Sequence, residues 1–268
     1  MSKQINLSVI LPVYNEKDNL EYFVPQIHET VVKLCQKFEI LIIDDQSIDG
    51  TQNLIKKFKK EYENLSYFVR DAKRSLPMSI FNGVEKSKYE NIMWLDADGS
   101  MDTIAIKKLI LEFKQDTSKY YVGSRFIEGG GYKGQLENQK GFFNLIKNIK
   151  NSEDSFLAIY LSILFNKILK FQMSTYVTDL TSGFIIGNKK YIEKEPFEKS
   201  NYGEYFLYLI SDLISKNKTI IEIGYYCKPR VYGKSKTSNN LMTLIRLGLP
   251  YIKAANICKK NLKEMKKF

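Results

Sequence analysis

Two short, almost wholly apolar runs, "LSVIL" at 7–11 and "EILIID" at 39–44, most constrain what this chain can fold into. A strand with one wet face alternates apolar and polar residues, so near-continuous runs like these call for cover on both faces. A parallel sheet flanked by helices supplies that cover. Further strands are expected at Ser66–Arg70, Asn91–Leu95 and Tyr120–Gly123, besides Leu7–Leu11 and Ile40–Asp44. Between the first two, Leu20, Phe23, Val24, Ile27, Val31, Leu34 and Phe38 recur at helical spacing, and Pro25 should begin or kink that helix. Asp49 is expected to cap the next helix, with Leu54, Ile55 and Phe58 on one side. A third fits Thr103–Lys114, capped by Asp102, with Ile106, Leu109, Ile110 and Phe113 inward. The βαβ order predicts a doubly wound α/β domain.

The pattern changes after Gly123. Residues 128–155, with "EGGGYKGQLENQKG" and a lysine-rich stretch, read as a mobile loop. The apolar segment 156–171, "FLAIYLSILFNKILKF", is too short to be a clear membrane span and suits a core helix or one lying in an interface. "TDLTSGFIIG" reads as a turn into a strand, followed by a helix around Tyr205–Ser215 and a strand around Thr219–Tyr226. Residues 1–236 therefore form one catalytic-sized domain, and 237–268 a basic, apolar tail that can lie on a membrane.

With 44% hydrophobic residues in 268, the chain can build one large core, and its net charge of +11 favours an anionic partner. Cys35, Cys227 and Cys258 form no C-x-x-C pair, which supports neither zinc nor disulfides and fits a reducing compartment. The single histidine, His28, sits in a helical stretch, so histidine-based triads have little support. The N-terminus has no apolar core and cleavage site of a signal peptide. Nucleic acid is not the expected partner, because no RRM, KH or zinc signature accompanies the positive charge.

Ligands of an open parallel sheet bind beyond the carboxyl ends of its strands. There the chain places Pro12, Tyr14, Asn15 and Glu16, then Asp44, Asp45 and Ser47, then Asp96 and Asp98, then Ser124 and Arg125. No G-x-G-x-x-G follows the first strand and no P-loop occurs, so phosphates would be neutralised by a cation and basic side chains. Asp-x-Asp suits Mg²⁺ or Mn²⁺, which take oxygen ligands and often share them with substrate phosphates. By itself it is a common pattern that a plain turn also uses.

Six segments in order sharpen this: "SVILPVYNEKDNL", "IIDDQSIDGT", "WLDADGS", "VGSRFIEGGG", "TDLTSGF" and "RVYGKSK". Over roughly residues 5–236 the chain resembles family 2 glycosyltransferases of the GT-A fold, and most of all the dolichol-phosphate mannose synthase-like branch. The resemblance implies a mostly parallel sheet flanked by helices, a UDP- or GDP-sugar donor, Mg²⁺ or Mn²⁺, and a dolichyl or undecaprenyl phosphate acceptor met at the cytoplasmic face of a membrane, alone or with a partner membrane protein. It implies that Pro12, Tyr14, Glu16 and Asp45 hold the nucleoside end of the donor, with Ile43 lining the base pocket. Asp96, Ala97 and Asp98 match the motif that holds metal and diphosphate, and Arg125 a basic residue near the donor phosphates. Asp179, Ser182 and Gly183 match the motif on the sugar and acceptor side, and Arg230 and Lys236 basic residues facing the acceptor phosphate or the diphosphate.

A phosphate acceptor is largely ionised near neutral pH, its second pKa being about 6, and needs no general base. A sugar-hydroxyl acceptor, the alternative within the same enzyme class, would need one, and Asp179 is the candidate. Bland roles stand beside these: a turn cap for Asp179, surface solvation for Arg230 and Lys236. The sequence departs from the family at Ser100, where relatives often have glutamine. It also departs at "RSLPMSIFNG", which stands in place of a more glycine-rich turn.

Overall fold

The computed structural model describes residues 3–131, 156–233 and 241–265. Seven strands form one sheet in the order β3-β2-β1-β4-β6-β5-β7. They are β1 (Asn6–Val13), β2 (Lys37–Asp44), β3 (Leu65–Val69), β4 (Asn91–Trp94), β5 (Tyr120–Ser124), β6 (Ile185–Asn188) and β7 (Ile220–Gly224). All pairings are parallel except those of β6, which runs antiparallel between β4 and β5. The five strands expected from the first half are present, and β6 follows the "TDLTSG" turn.

Both sheet faces are covered, as the apolar runs require. Leu7, Val9 and Leu11 of β1 point into a core shared with α1 (Lys17–Val32), α2 (Thr51–Glu61) and α4 (Thr103–Gln115). Ile10 of β1, Leu41 and Ile43 of β2, and Trp94 of β4 point into a second core. That core is completed by α3 (Leu76–Lys86), α5 (Phe156–Met173), α6 (Glu195–Glu198), α7 (Tyr205–Ser215) and α8 (Leu241–Met265). Ser8, the polar residue inside "LSVIL", is fully buried and donates to Glu39 Oε1 at 2.6 Å, so its hydroxyl is satisfied.

Several local expectations change. "SLPMSIFNG" is the start of α3, not a turn: Ser75 caps it by accepting from Met78 N–H at 3.3 Å, and Pro77 occupies the first turn. Pro25 lies inside α1, which runs on to Val32. Asp49 does not stand at the N-cap of α2, a place taken by Gly50 at φ +92°. Its carboxylate accepts from Thr51 N–H at 3.0 Å and from Lys17 N–H at 3.1 Å, tying the starts of α1 and α2 together. Asp102 does cap α4, through Ala105 N–H at 2.9 Å. Of the loop expected at 128–155, residues 132–155 lie outside the described residues, as does Lys236. The C-terminal segment is no loose appendage, because Ala254, Ala255 and Cys258 of α8 are buried in the second core. Among the described residues, no helix is long and apolar enough to cross a membrane.

Gly83 shows how closely α3 is seated. A Cβ there would stand 2.2 Å from Ile10 Cγ2 of β1. Alanine normally favours a helix over glycine by about 1 kcal/mol, yet overpacking a tight core costs about 1–3 kcal/mol. Gly83→Ala is therefore expected to lower Tm, by a few degrees on a scale of about 2–4 °C per kcal/mol. An unchanged or raised Tm in thermal unfolding would show that α3 can move away from the sheet.

Candidate active site

A cavity of about 490 Å³ opens where β1, β2 and β4 end. Pro12, Tyr14 and Glu16 reach it from β1, Asp45 from β2, and Asp96, Ala97 and Asp98 from β4. Its far wall comes from Arg74, Ser75, Leu76 and Ser79 at the start of α3, and from Asn201, Tyr202 and Arg230. The strand ends are locked to each other by two residues in left-handed backbone. Asn15, at φ 53°, donates from its N–H to Ser47 Oγ at 2.8 Å and accepts from Ile48 N–H at 2.9 Å. Gln46, at φ 65°, donates to Arg70 O and Ala72 O, both at 3.0 Å. Such conformations are costly outside glycine and persist only where surrounding bonds over-determine them.

The two aspartates that end β2 divide their work. Asp44 is buried beneath the site and accepts from Tyr67 OH at 2.8 Å and from Ser47 N–H at 3.0 Å. Asp45 lines the cavity but is already engaged, by Arg70 at 2.5 Å and by Ser75 N–H at 2.6 Å. Arg70 is 7% exposed on its side chain, so this is a buried pair that clamps β2 to the start of α3. Beside it, the Arg74 guanidinium lies 4.2 Å from the centre of the Tyr14 ring.

Acidic charge collects at the end of β4. Asp98 accepts from Ser100 N–H at 2.9 Å and from Arg230 Nε at 3.2 Å, while Arg230 also donates to Glu16 Oε1 at 2.8 Å. Burial works against the charge on Arg230, but Glu16 and Asp98 outweigh it and raise its pKa. The segment carrying Arg230 is laid on the Asp-x-Asp turn by its backbone: Lys228 N–H donates to Ser100 O at 2.9 Å and Val231 N–H to Asp98 O at 3.3 Å. Gly99, at φ +76°, permits the approach, since a Cβ there would lie 2.9 Å from Val231 Cγ2. Ser100 thus supports both Asp98 and Lys228 through its main chain. Asn19 completes the frame by donating to Glu16 Oε2 at 2.7 Å and accepting from Tyr232 N–H at 2.9 Å.

Asp96 differs from its neighbours. Among the described residues no hydrogen bond or ion pair holds its carboxylate, which opens into the cavity. Water reaches that mouth, but protein crowds the group elsewhere. Burial first, then the charge of Asp98, pushes its pKa up to about 7 against the opposing pull of Arg230. Among the described residues, no three His, Cys, Asp or Glu side chains converge so as to hold a metal ion by themselves. Asp96 and Asp98 nevertheless fit Mg²⁺ or Mn²⁺, because both offer hard oxygen donors beside open space that substrate phosphates would share.

The remaining sequence candidates sit elsewhere. Arg125 and Asp179 do not line the cavity but pair with each other. Arg125 Nε donates to Asp179 Oδ2 at 2.8 Å and a terminal nitrogen donates to Oδ1 at 2.7 Å; Asp179 is fully buried. Asp179 also accepts from Arg125 N–H at 2.9 Å and from Thr181 N–H at 3.3 Å, so both of its oxygens carry hydrogen bonds. Glu222 of β7 accepts from Thr178 N–H at 2.8 Å and Asp179 N–H at 2.9 Å, fixing the same loop. Ser182 is buried and accepts from Phe184 N–H at 3.4 Å, and Gly183 takes a left-handed turn at φ +66°. Ile43, expected in the base pocket, is buried in the core beneath α3 because its side of β2 faces the helix. Sequence reasoning missed Asn19, Arg70, Arg74 and Tyr202. Asn19 carried a signal, as a polar residue where helical periodicity demands burial.

The raised pKa of Asp96 makes a stability prediction. The ligand-free fold binds a proton that the unfolded chain, with an aspartate pKa near 3.9, releases. Stability contributed by the protonated group is therefore present at low pH and is lost as pH rises through about 7. Solvent access at the cavity mouth reduces the size of the effect but not its sign. Asp96→Asn is expected to raise Tm in thermal unfolding, more at pH 8 than at pH 5. A gain that does not grow with pH would remove the charge repulsion from Asp96.

Comparison with known proteins places this geometry in a family. The glycosyl transferase family 2 model matches residues 8–195. The dolichol-phosphate mannosyltransferase of Pyrococcus furiosus is 25% identical over 232 residues, covering 87% of this chain and 59% of that protein. Glycosyltransferase AglE of Haloferax volcanii is 33% identical over 95 residues, which are 35% of this chain and 31% of that one. The chain thus spans less than two thirds of either relative. Among solved structures, glucosyl-3-phosphoglycerate synthase of Mycobacterium tuberculosis, with Mn²⁺, UDP and phosphoglyceric acid, matches at TM-score 0.60 and 12% identity. The match covers 95% of this chain and 78% of that one. Mannosyl-3-phosphoglycerate synthase of Rubrobacter xylanophilus matches at TM-score 0.56 and 14% identity over 98% and 76% of the two chains. The fold is GT-A, and the chain belongs to glycosyl transferase family 2.

Proposed function

We propose that this chain is an inverting, metal-dependent glycosyltransferase that moves a hexose from a UDP- or GDP-sugar to polyprenyl phosphate, working on the cytoplasmic face of a membrane. The observation that carries the reading is the cavity at the sheet edge, where Asp96 and Asp98 face open space and Arg230 reaches in beside them. In this reading Tyr14 and Arg74 flank the nucleoside end, and Asp45 shapes that wall while held by Arg70. Asp96 and Asp98 would hold Mg²⁺ or Mn²⁺, which supplies Lewis-acid stabilisation to the leaving diphosphate. Arg230 adds positive charge on the same side, prealigned by its bonds to Glu16 and Asp98.

The choice between acceptors turns on the base. Transfer to a sugar hydroxyl needs a carboxylate to take its proton, and the candidate, Asp179, is fully buried with its oxygens occupied by Arg125 and Thr181. A phosphate acceptor needs no such group, and the Pyrococcus relative, a dolichol-phosphate mannosyltransferase, is in keeping with it. Lys236, outside the described residues, remains assigned to the acceptor or diphosphate side by its place in "RVYGKSK".

The test is a transfer assay with UDP- and GDP-sugars, Mn²⁺ or Mg²⁺, and polyprenyl phosphate in detergent. Transfer to the lipid phosphate is expected, lost on chelation, and reduced by about 100-fold or more in Asp98→Asn, the scale of removing a preorganised charge contact. Product formed only on sugar hydroxyls would overturn the acceptor, and activity indifferent to chelator would overturn the metal.

A further inference from the structure

The helix at 156–173 has a core side and an outer side, and the outer side is apolar. Asn166, Leu169 and Met173 are buried. Tyr160, Leu164, Ile168 and Phe171 are exposed, Phe171 to 85%, and their spacing sets them along one face. A surface helix ordinarily turns charged residues outward, yet among the described side chains of this helix Lys167 is the one charged residue that is exposed. Phe165 packs edge-on against Tyr251 of α8 at 5.7 Å between ring centres. Gln172 donates to Asn256 Oδ1 at 2.6 Å and to Ile252 O at 3.2 Å, forming the seam between α5 and α8. Beyond that seam α8 exposes Arg246, Lys253 and Lys260 at seven-residue spacing, with Leu249 among them at 61% exposure.

We propose that this joint face of α5 and α8 docks on an anionic lipid bilayer. The inference deepens the proposed function, which needs a lipid acceptor, but the surface chemistry supports it separately. An apolar stripe beside a one-signed basic stripe is what an interfacial helix presents to acyl chains and anionic head groups. Neither helix carries an acidic residue apart from Glu264 near the end of α8. A second copy of this chain would therefore meet the same positive charge, which disfavours a symmetric pairing of these faces. The docking face is also fixed to the site. On the opposite side of α5, Asn166 accepts from Leu180 N–H at 3.1 Å and donates to Thr181 Oγ1 at 3.0 Å. Tyr251 of α8 packs over Gly203, next to cavity-lining Tyr202. Docking through this face holds the cavity at one height and tilt relative to the lipid.

Co-sedimentation with vesicles tests this. The full chain is expected to pellet with vesicles containing phosphatidylglycerol and to remain in solution with phosphatidylcholine alone, with binding weakened by added salt. Phe171→Ser with Leu164→Ser, and separately Lys253→Glu with Lys260→Glu, should each reduce partitioning about tenfold or more, given roughly one order of magnitude for two surface lysines. Thermal shifts with Mn²⁺ plus UDP or GDP should match wild type, showing that the fold survives. No pelleting of the wild type, variants that pellet equally well, or a Phe171-dependent dimer in ultracentrifugation without lipid binding would each overturn the proposal. Transfer to a short-chain, detergent-dispersed prenyl phosphate separates the two readings. Docking variants that keep this transfer support the surface as a docking device. A wild type that binds vesicles but glycosylates no prenyl phosphate defeats the acceptor while the docking surface stands.

Discussion

Glu16, Asp96 and Asp98 bring three acidic side chains to one end of the sheet, and their mutual repulsion is the constraint that the surroundings answer. The answer is incomplete by design of the geometry. Arg230 takes Glu16 and Asp98, and is carried there by backbone bonds between 228–231 and the Asp-x-Asp turn. Asp96 is left facing the cavity, and the crowding and the charge of Asp98 that raise its pKa show that its negative charge is poorly compensated by the protein alone. A cation arriving with a diphosphate would supply the missing charge. The chain keeps the protein half of such a site assembled and leaves the other half to ligand.

Two further acid–base pairs tie separate elements together. Arg70 with Asp45 joins β2 to α3, and Arg125 with Asp179 joins β5 to the 178–183 loop. Both are buried, where a lone charge is costly and a paired one with satisfied hydrogen bonds is tolerated. Glu222 extends the second clamp into β7 and Asn166 extends it into α5, so the loop is held from three elements, β5, β7 and α5.

The strands were legible because parallel strands covered on both faces must be apolar throughout, and their polar ends marked the site at Glu16, Asp45 and Asp96. What stayed hidden depends on partners distant in sequence. Nothing local to "GSRF" or "TDLTSG" shows that Arg125 and Asp179 bond to each other, since 54 residues separate them. The face on which Ile43 falls is decided by the pleat of β2 against a helix that begins in "SLP", a stretch that reads equally well as a turn. Asn19 was passed over within a helical pattern that counted only apolar positions, although it is 4% exposed and links Glu16 to Tyr232. Ser100 departs from the family's side chain without loss of the local frame, because its N–H and C=O make the contacts.

The helix at 156–173 shows why composition alone left two readings open. Its apolar residues serve two surfaces at once: Leu169 and Met173 close the core, while Leu164 and Phe171 face outward. A helix hydrophobic all round has no amphipathic signature, so periodicity cannot tell inside from outside. The polar residue breaks the symmetry from the unexpected side, since buried Asn166 faces inward to hold Leu180 and Thr181. A polar inner contact and an apolar outer face invert the ordinary arrangement of a surface helix. Folding explains the inner contact, because the 178–183 loop needs a partner, but folding gains nothing from a phenylalanine left 85% exposed. The outer face is the surface that the docking on lipid proposed above would use.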